Sequence, residues 1–204
     1  MKRIIHNLFI VFLFSMLAHT ANAQDSVFGT PELKQPNFAL KTNLLYDATS
    51  TINLGAEIRL DKKKTLTLPF NFNPWTFSEG KKLKHIAAQP ELRFWTCEAF
   101  NGFYWGIHLH GGQFNVGGLK LPFNMFPTLE HRRYEGYFYG GGLGLGYQWI
   151  LNNRWNLELG MGVGYARIHY DKFKCGHCGE KIKDDVRNYW GPDRIAISLI
   201  YVIR

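Results

Sequence analysis

Cysteine is scarce. The 204-residue chain has 3, two of them in one C-x-x-C motif at Cys175 and Cys178 and the third at Cys97. With His177 between the pair, the motif offers at most three nearby zinc ligands, where a closed structural site needs four. Long apolar runs are missing too. After residue 23 none approaches the roughly 20 residues of a membrane helix, so any membrane crossing must use strands. Acids are the minority charge, 16 against 24 Lys and Arg, a formal net charge of +8. The bases are scattered, their largest cluster is Lys62-Lys63-Lys64, and no recognition motif accompanies them. The charge therefore reads as turn and rim chemistry, with no nucleic-acid partner. A phosphate-binding glycine loop is absent as well. Gly140 to Gly146 run on as an alternating strand into Tyr147-Gln148-Trp149 and open no helix.

What is there begins with a leader. Lys2 and Arg3 precede a largely apolar stretch, Ile4 to Ala18, and Ala21-Asn22-Ala23 has the small-x-small form of a cleavage site. Residues 1–23 are expected to be a cleaved signal peptide and 24–37 a polar lead-in. Residues 38–204 are expected to form one domain. No Cys follows the cut, which argues against a lipid anchor. The mature chain is then exported, where disulfides are permitted.

From Phe38 onward the dominant signal is a period of two, which places alternate side chains on opposite faces of a strand. It is plainest from Tyr134 to Tyr170. There Tyr137, Tyr139, Leu143, Leu145, Tyr147 and Trp149 share one face, and Gly140, Gly142, Gly144, Gly146 and Gln148 share the other. A turn at 151–154 leads to Trp155, Leu157, Leu159, Met161, Val163 and Tyr165, which alternate with Asn156, Glu158, Gly160, Gly162 and Gly164. The same alternation marks strands starting near Phe38, Thr51, Thr65, His85, Phe103 and Ile195, which makes eight. Pro69 should bring local irregularity, because it has no N–H for a ladder. The turns at 61–64, 97–101 and 151–154 are short, and the connections 73–84, 116–133 and 171–193 are long. Short periplasmic turns, long extracellular loops and an even strand number are marks of outer-membrane barrels.

The two faces decide the direction. One collects large apolar residues on all eight strands. The other carries Lys41, Asn43, Asn53, Glu57, Arg59, Gln89, Glu91, Arg93, His108, His110, Gln148 and Glu158. A soluble barrel needs an apolar core and could not bury so many charges. With lipid outside, the polar set fills the lumen, and eight strands leave room for little else. Lys41, Arg59 and Arg93 then match Glu57, Glu91 and Glu158, a neutral plug and not a conducting pore. His108 and His110 join this network, a metal or acid–base site with Glu91 or Glu158 being the alternative, and the facing glycines make room for the larger side chains. Trp75, Trp95, Trp105, Trp149 and Trp155 fall near strand ends, the place of interface belts.

The segments KTNLLYDAT, NPWTFSEGKKLKH, QPELRFW, EAFNGFYWGIHLHGGQFNVGG, GYQWILNNRWNLELGMGVGYARI, KCGHCGEK and WGPDRIAISLIYVI resemble the outer-membrane barrel family called domain of unknown function 3575. In architecture the chain is similar to small OmpA and OmpX type barrels. The resemblance covers nearly all of 38–203. It implies an all-β, eight-stranded, antiparallel up-and-down transmembrane β-barrel with a polar, filled lumen, in the outer membrane of a Gram-negative bacterium. It also implies a tie to surface fimbriae. One departure is the ending Tyr201-Val202-Ile203-Arg204, where such barrels usually end on an aromatic residue.

Three functions follow from these residues. The first is a non-enzymatic outer-membrane barrel without cofactor or catalytic residues, with lipid around it and a surface or fimbrial partner at loops 73–84, 116–133 and 171–193. The second is a thiol-redox or metal-binding protein using Cys175, His177 and Cys178. Its redox form needs a helix after the motif, for which Ile182, Val186, Tyr189 and Trp190 are spaced. Otherwise Cys175 and Cys178 are a disulfide or paired-thiol staple, out of reach of Cys97. The third is a soluble exported barrel that binds a small ligand.

Overall fold

The computed structural model describes residues 36–76, 82–118, 129, 132–174, 179 and 181–203. Contacts divide the chain into Met1–Leu33 and Lys34–Arg204, and the fold lies in the second unit. The leader and nearly all of the lead-in fall outside the described residues, as do Cys175, His177 and Cys178.

Nine strands account for most of what is described: β1 (Phe38–Asn43), β2 (Ile52–Asp61), β3 (Lys64–Asn73), β4 (Lys82–Ala88), β5 (Glu91–Trp95), β6 (Gly102–Gly117), β7 (Arg132–Ile150), β8 (Trp155–Lys174) and β9 (Lys181–Ile203). A single helical turn, α1 (Leu44–Ala48), separates β1 from β2. All nine strands belong to one antiparallel sheet, ordered β2-β1-β9-β8-β7-β6-β4-β3-β5. Pairings of β2 with β3 and of β5 with β6 join its ends into a ring.

The sequence predicts eight strands, and the ninth has a local cause. β4 and β5 occupy one place between β3 and β6, end to end. They are separated at Gln89-Pro90, beside Pro69, whose carbonyl accepts from the Gln89 N–H at 3.2 Å. Neither proline has an N–H to give the ladder. The irregularity expected at Pro69 therefore falls on its neighbour, while Pro69 itself stays in register with Gly55 of β2.

Two other boundaries differ from expectation. β1 stops at Asn43 instead of running on to Tyr46. The Asn43 side chain accepts from the Leu45 N–H at 3.2 Å and caps α1. The same side chain donates to the Ile195 carbonyl and accepts from the Ile197 N–H, replacing the backbone ladder that β1 no longer offers β9. The region 171–193, expected as the longest loop, is mostly strand. β8 continues to Lys174, and β9 starts at Lys181 and pairs back through Asp171↔Asp184 and Tyr170↔Asp185. Ile182, Val186, Tyr189 and Trp190 thus lie on a strand and build no helix.

In the closed part of the ring the burial alternates as the period of two requires. β6 runs buried–exposed from Gly102 to Leu109 and β8 exposed–buried through most of Trp155 to Val163. The polarity is inside out. Leu54, Leu109, Leu143, Met161 and Val163 on the outer face are 56–66% exposed, while Glu57, Arg93 and Glu158 inside are 0% exposed. The apolar interior is small: Ala39, Trp95, Ala99, Phe100, Tyr104, Ile200 and Val202.

Candidate functional site: a charged interior beneath projecting strands

The interior is stacked in layers. The apolar cluster sits at the end of the short turns. From its place near a strand end Trp95 is expected at a membrane interface, yet it shares the face of Glu91 and Arg93, four and two residues back, and is buried. Its ring lies 4.9 Å from that of Tyr104 and 6.4 Å from that of Phe100. Phe100 reaches the interior because the turn after β5 places it in the left-handed region, at φ 67°. Its carbonyl accepts from Asn156 Nδ2 at 3.1 Å.

Above this floor lies the charge cluster. Arg93 Nη1 donates to Glu158 Oε2 at 2.6 Å and to Glu57 Oε2 at 3.1 Å, and Arg93 Nε donates to Glu91 Oε2 at 2.7 Å. Lys41 Nζ donates to both Glu158 oxygens, at 3.1 and 2.9 Å. Arg194 donates to Glu158 at 3.2 Å and to Glu91. The Arg93 guanidinium stacks 4.2 Å above the Tyr104 ring. A relay of donors, Trp95 Nε1 to Thr65 Oγ1 and Thr65 Oγ1 to Glu57 Oε1, ties the cluster to the floor. Burying ions is tolerable only when each is paired and hydrogen-bonded, and here Lys41, Arg93 and Arg194 face Glu57, Glu91 and Glu158.

The expected balance of three against three holds with one change of member. Arg59 shares the inward parity of Glu57, but the residue is only half-buried and its guanidinium donates to Asn37 Oδ1 at 2.5 Å in an exposed position. Arg194 takes its place in the cluster. Arg194 is not apparent from the sequence because the alternating apolar run begins only at Ile195. Extending the alternation of Ala196 and Ser198 back one step puts Arg194 inward. The glycine face does make room. A Cβ at Gly146 would stand 2.5 Å from the Tyr104 hydroxyl, one at Gly162 3.1 Å from His108, and one at Gly140 2.7 Å from His110. The side chains accommodated include Glu91, Tyr104, Asp193 and Arg194, more than the set expected from sequence.

The third layer holds His108 and His110, directed inward together as their spacing predicts. Their partner is Asp193, with Oδ2 2.8 Å from His108 Nε2 and 3.5 Å from His110 Nδ1. A small cavity of about 170 Å³, lined by Tyr46, Asn71, Gln89, His110, Tyr189 and Asp193 among others, opens beside them.

β6 to β9 continue past this layer. They are 16, 19, 20 and 23 residues long, against 5 to 10 for β1 to β5. The projecting part mixes charged and apolar side chains, with Tyr137, Ile182, Val186 and Trp190 exposed there. Clefts of about 700 and 510 Å³ flank it and share Glu135, Gly136 and Tyr137. Tyr137 stacks on His169 at 4.8 Å, and the Arg133 guanidinium lies 4.3 Å over the Phe173 ring. β1 reaches β9 only from Ser198 to Ile203. Among the described residues, β9 above Ile197 therefore pairs on one side alone. That edge carries Lys181, Lys183, Asp184, Asp185 and Arg187. Lys183 Nζ donates to Asp185 at 2.9 Å, which holds the carboxyl below and the ammonium above their ordinary values.

An all-β closed sheet with an ionic interior and an apolar exterior is the class of protein that fold and site define. The chain belongs to the family described as protein of unknown function (DUF3575), whose family model matches residues 8–203. No curated protein and no solved structure matches it.

Proposed function

We propose that the protein is an integral outer-membrane β-barrel of eight strand positions, β4 and β5 sharing one. In this reading it is not an enzyme and works by presenting its projecting strands to a surface or fimbrial partner. The single observation that carries this is the inside-out polarity. A contiguous exposed apolar band around a sheet whose interior holds six ionised side chains is the distribution a lipid surround favours, since strands closed on themselves leave no backbone group unpaired in hydrocarbon. Trp75, Trp105, Trp149 and Trp155, all exposed, suit the two interfaces. The short-turn end is then periplasmic and the projecting end extracellular. The neutral ionic layer and the Trp95–Phe100 floor block the bore, so no sizeable conductance is expected in planar bilayers.

The partner surface is the unpaired edge of β9 from Lys181 to Arg194 with the clefts beside it. An open edge offers N–H and C=O groups to an incoming strand, and the charges along it discourage indiscriminate pairing. Fractionation tests the reading. Sodium carbonate washing should leave the protein in the outer-membrane pellet, and cysteine labels at Lys183 should react on intact cells. Release into the wash would overturn membrane insertion and favour a soluble exported barrel.

A further inference from the structure

We propose that His108, His110 and Asp193 form a binding site for one divalent transition-metal ion of the zinc type. Three observations converge on it.

The first is geometry. The three donor atoms lie within 4.8 Å of one another, and the two contacts to Asp193 Oδ2 are 2.8 and 3.5 Å. Ligands bound at ~2.0–2.2 Å stand roughly 3.0–3.6 Å apart in tetrahedral or octahedral shells. Sub-ångström shifts therefore bring them onto one ion.

The second is lone pairs without a use. Among the described residues His110 Nδ1 and Asp193 Oδ1 have no hydrogen-bond partner, in side chains 7% and 6% exposed. Buried polar atoms are rarely left so. The His110 ring hydrogen-bonds the Tyr165 backbone carbonyl. A carbonyl on one ring nitrogen, leaving the other bare, is how metal-binding imidazoles are held in orientation.

The third is charge. The layer below is balanced by itself, Lys41, Arg93 and Arg194 against Glu57, Glu91 and Glu158. Asp193 is the extra buried acid, and its ion-pair partners among the described residues are the two histidines. A buried carboxylate without a cation is unfavourable. Two neutral imidazoles and one carboxylate suit zinc, nickel, cobalt or copper, and not magnesium or calcium, which want oxygen. The cavity beside His110 and Asp193 leaves the remaining coordination positions to water or a small anion. The site goes beyond the surface role proposed above and does not depend on it.

Cobalt titration of the full-length protein, folded in detergent, tests the site. Wild type should bind one Co²⁺ with visible ligand-field bands that Zn²⁺ bleaches, and Zn²⁺ should raise the unfolding temperature. Cys175→Ser/Cys178→Ser should behave identically. His108→Ala, His110→Gln and Asp193→Asn should each weaken binding by at least ~10-fold while keeping heat-modifiable migration on gels. Absence of stoichiometric binding by wild type would overturn the site, as would binding that survives His110→Gln and Asp193→Asn or is lost with the cysteines. If the histidine variants fail to fold, the wild-type Zn²⁺ shift in unfolding temperature, compared with that of Asp193→Asn, decides alone.

Discussion

Along β8, most residues from Trp155 to Val163 switch between exposed and buried, whereas Ile168 to Phe173 are half-buried without alternation. The two halves of one strand thus live under different constraints. In the lower half the ring is closed, so each side chain is either in the ionic interior or on the apolar outside. In the upper half β1 and β2 have ended while β4 still pairs with β6 as far as Gly117, so the ring is open beside β9 and both faces of β8 meet similar surroundings. Closure, more than composition, separates a part whose residues are dictated by position from a part whose residues are not.

The sharpest way to break this comparison is to unbalance the interior. Arg93→Met leaves Glu57, Glu91 and Glu158 without their shared partner and should cost about 3–5 kcal/mol, read as urea unfolding in detergent or loss of heat-modifiable folding. An unchanged midpoint would mean that the interior charges do not hold the ring. Next in size is the outer face. Leu145→Arg should cost about 2–4 kcal/mol for folding into bilayers, with a much smaller effect in detergent. Equal effects in the two would count against lipid on that face. Smaller again is Gly146→Ala, whose Cβ meets the Tyr104 ring and the Leu159 carbonyl. It should cost about 1–3 kcal/mol, and Tyr104→Phe should relieve part of it, measured as a double-mutant cycle.

The least effect on stability is expected in the projecting strands. Lys183→Ala removes an exposed pair and should leave the unfolding midpoint unmoved while reducing capture of a surface partner. The Asp185 carboxyl is held low in the folded state, so whatever local order the pair gives is complete above the ordinary Asp range near ~3.9. It is lost as pH falls through the lowered value. Amide exchange of Lys181 to Val186 at neutral and acid pH would show it. A large drop in global stability from Lys183→Ala would erase the distinction between the two regions.

Much of the closed part is legible in the chain. The alternation around Lys41, Glu57, Glu91, Arg93, His108 and Glu158 assigns their face correctly, because in a closed sheet the face is the environment. The projecting region is not legible by the same signal. In Asp171 to Lys174 and Lys181 to Arg187 the apolar Phe173, Ile182 and Val186 are scattered among eight charged residues, so no sustained apolar face survives and strand reads as loop. The type of Trp95, aromatic at a strand end, suggests an interface, while its parity with Arg93 points inward. Asp193 escaped notice because it precedes the alternating run, at the register shift where Val163 meets Pro192.

The sequence by itself determined which residues share a face, the family, and the near-neutral stock of interior charge, since a period of two is a local property of backbone geometry. Only the tertiary structure decided which of those charges meet. Glu91 and Arg194, or His108 and Asp193, are brought together across the bore by ring closure and strand register, and no spacing along the chain encodes the distance across a ring.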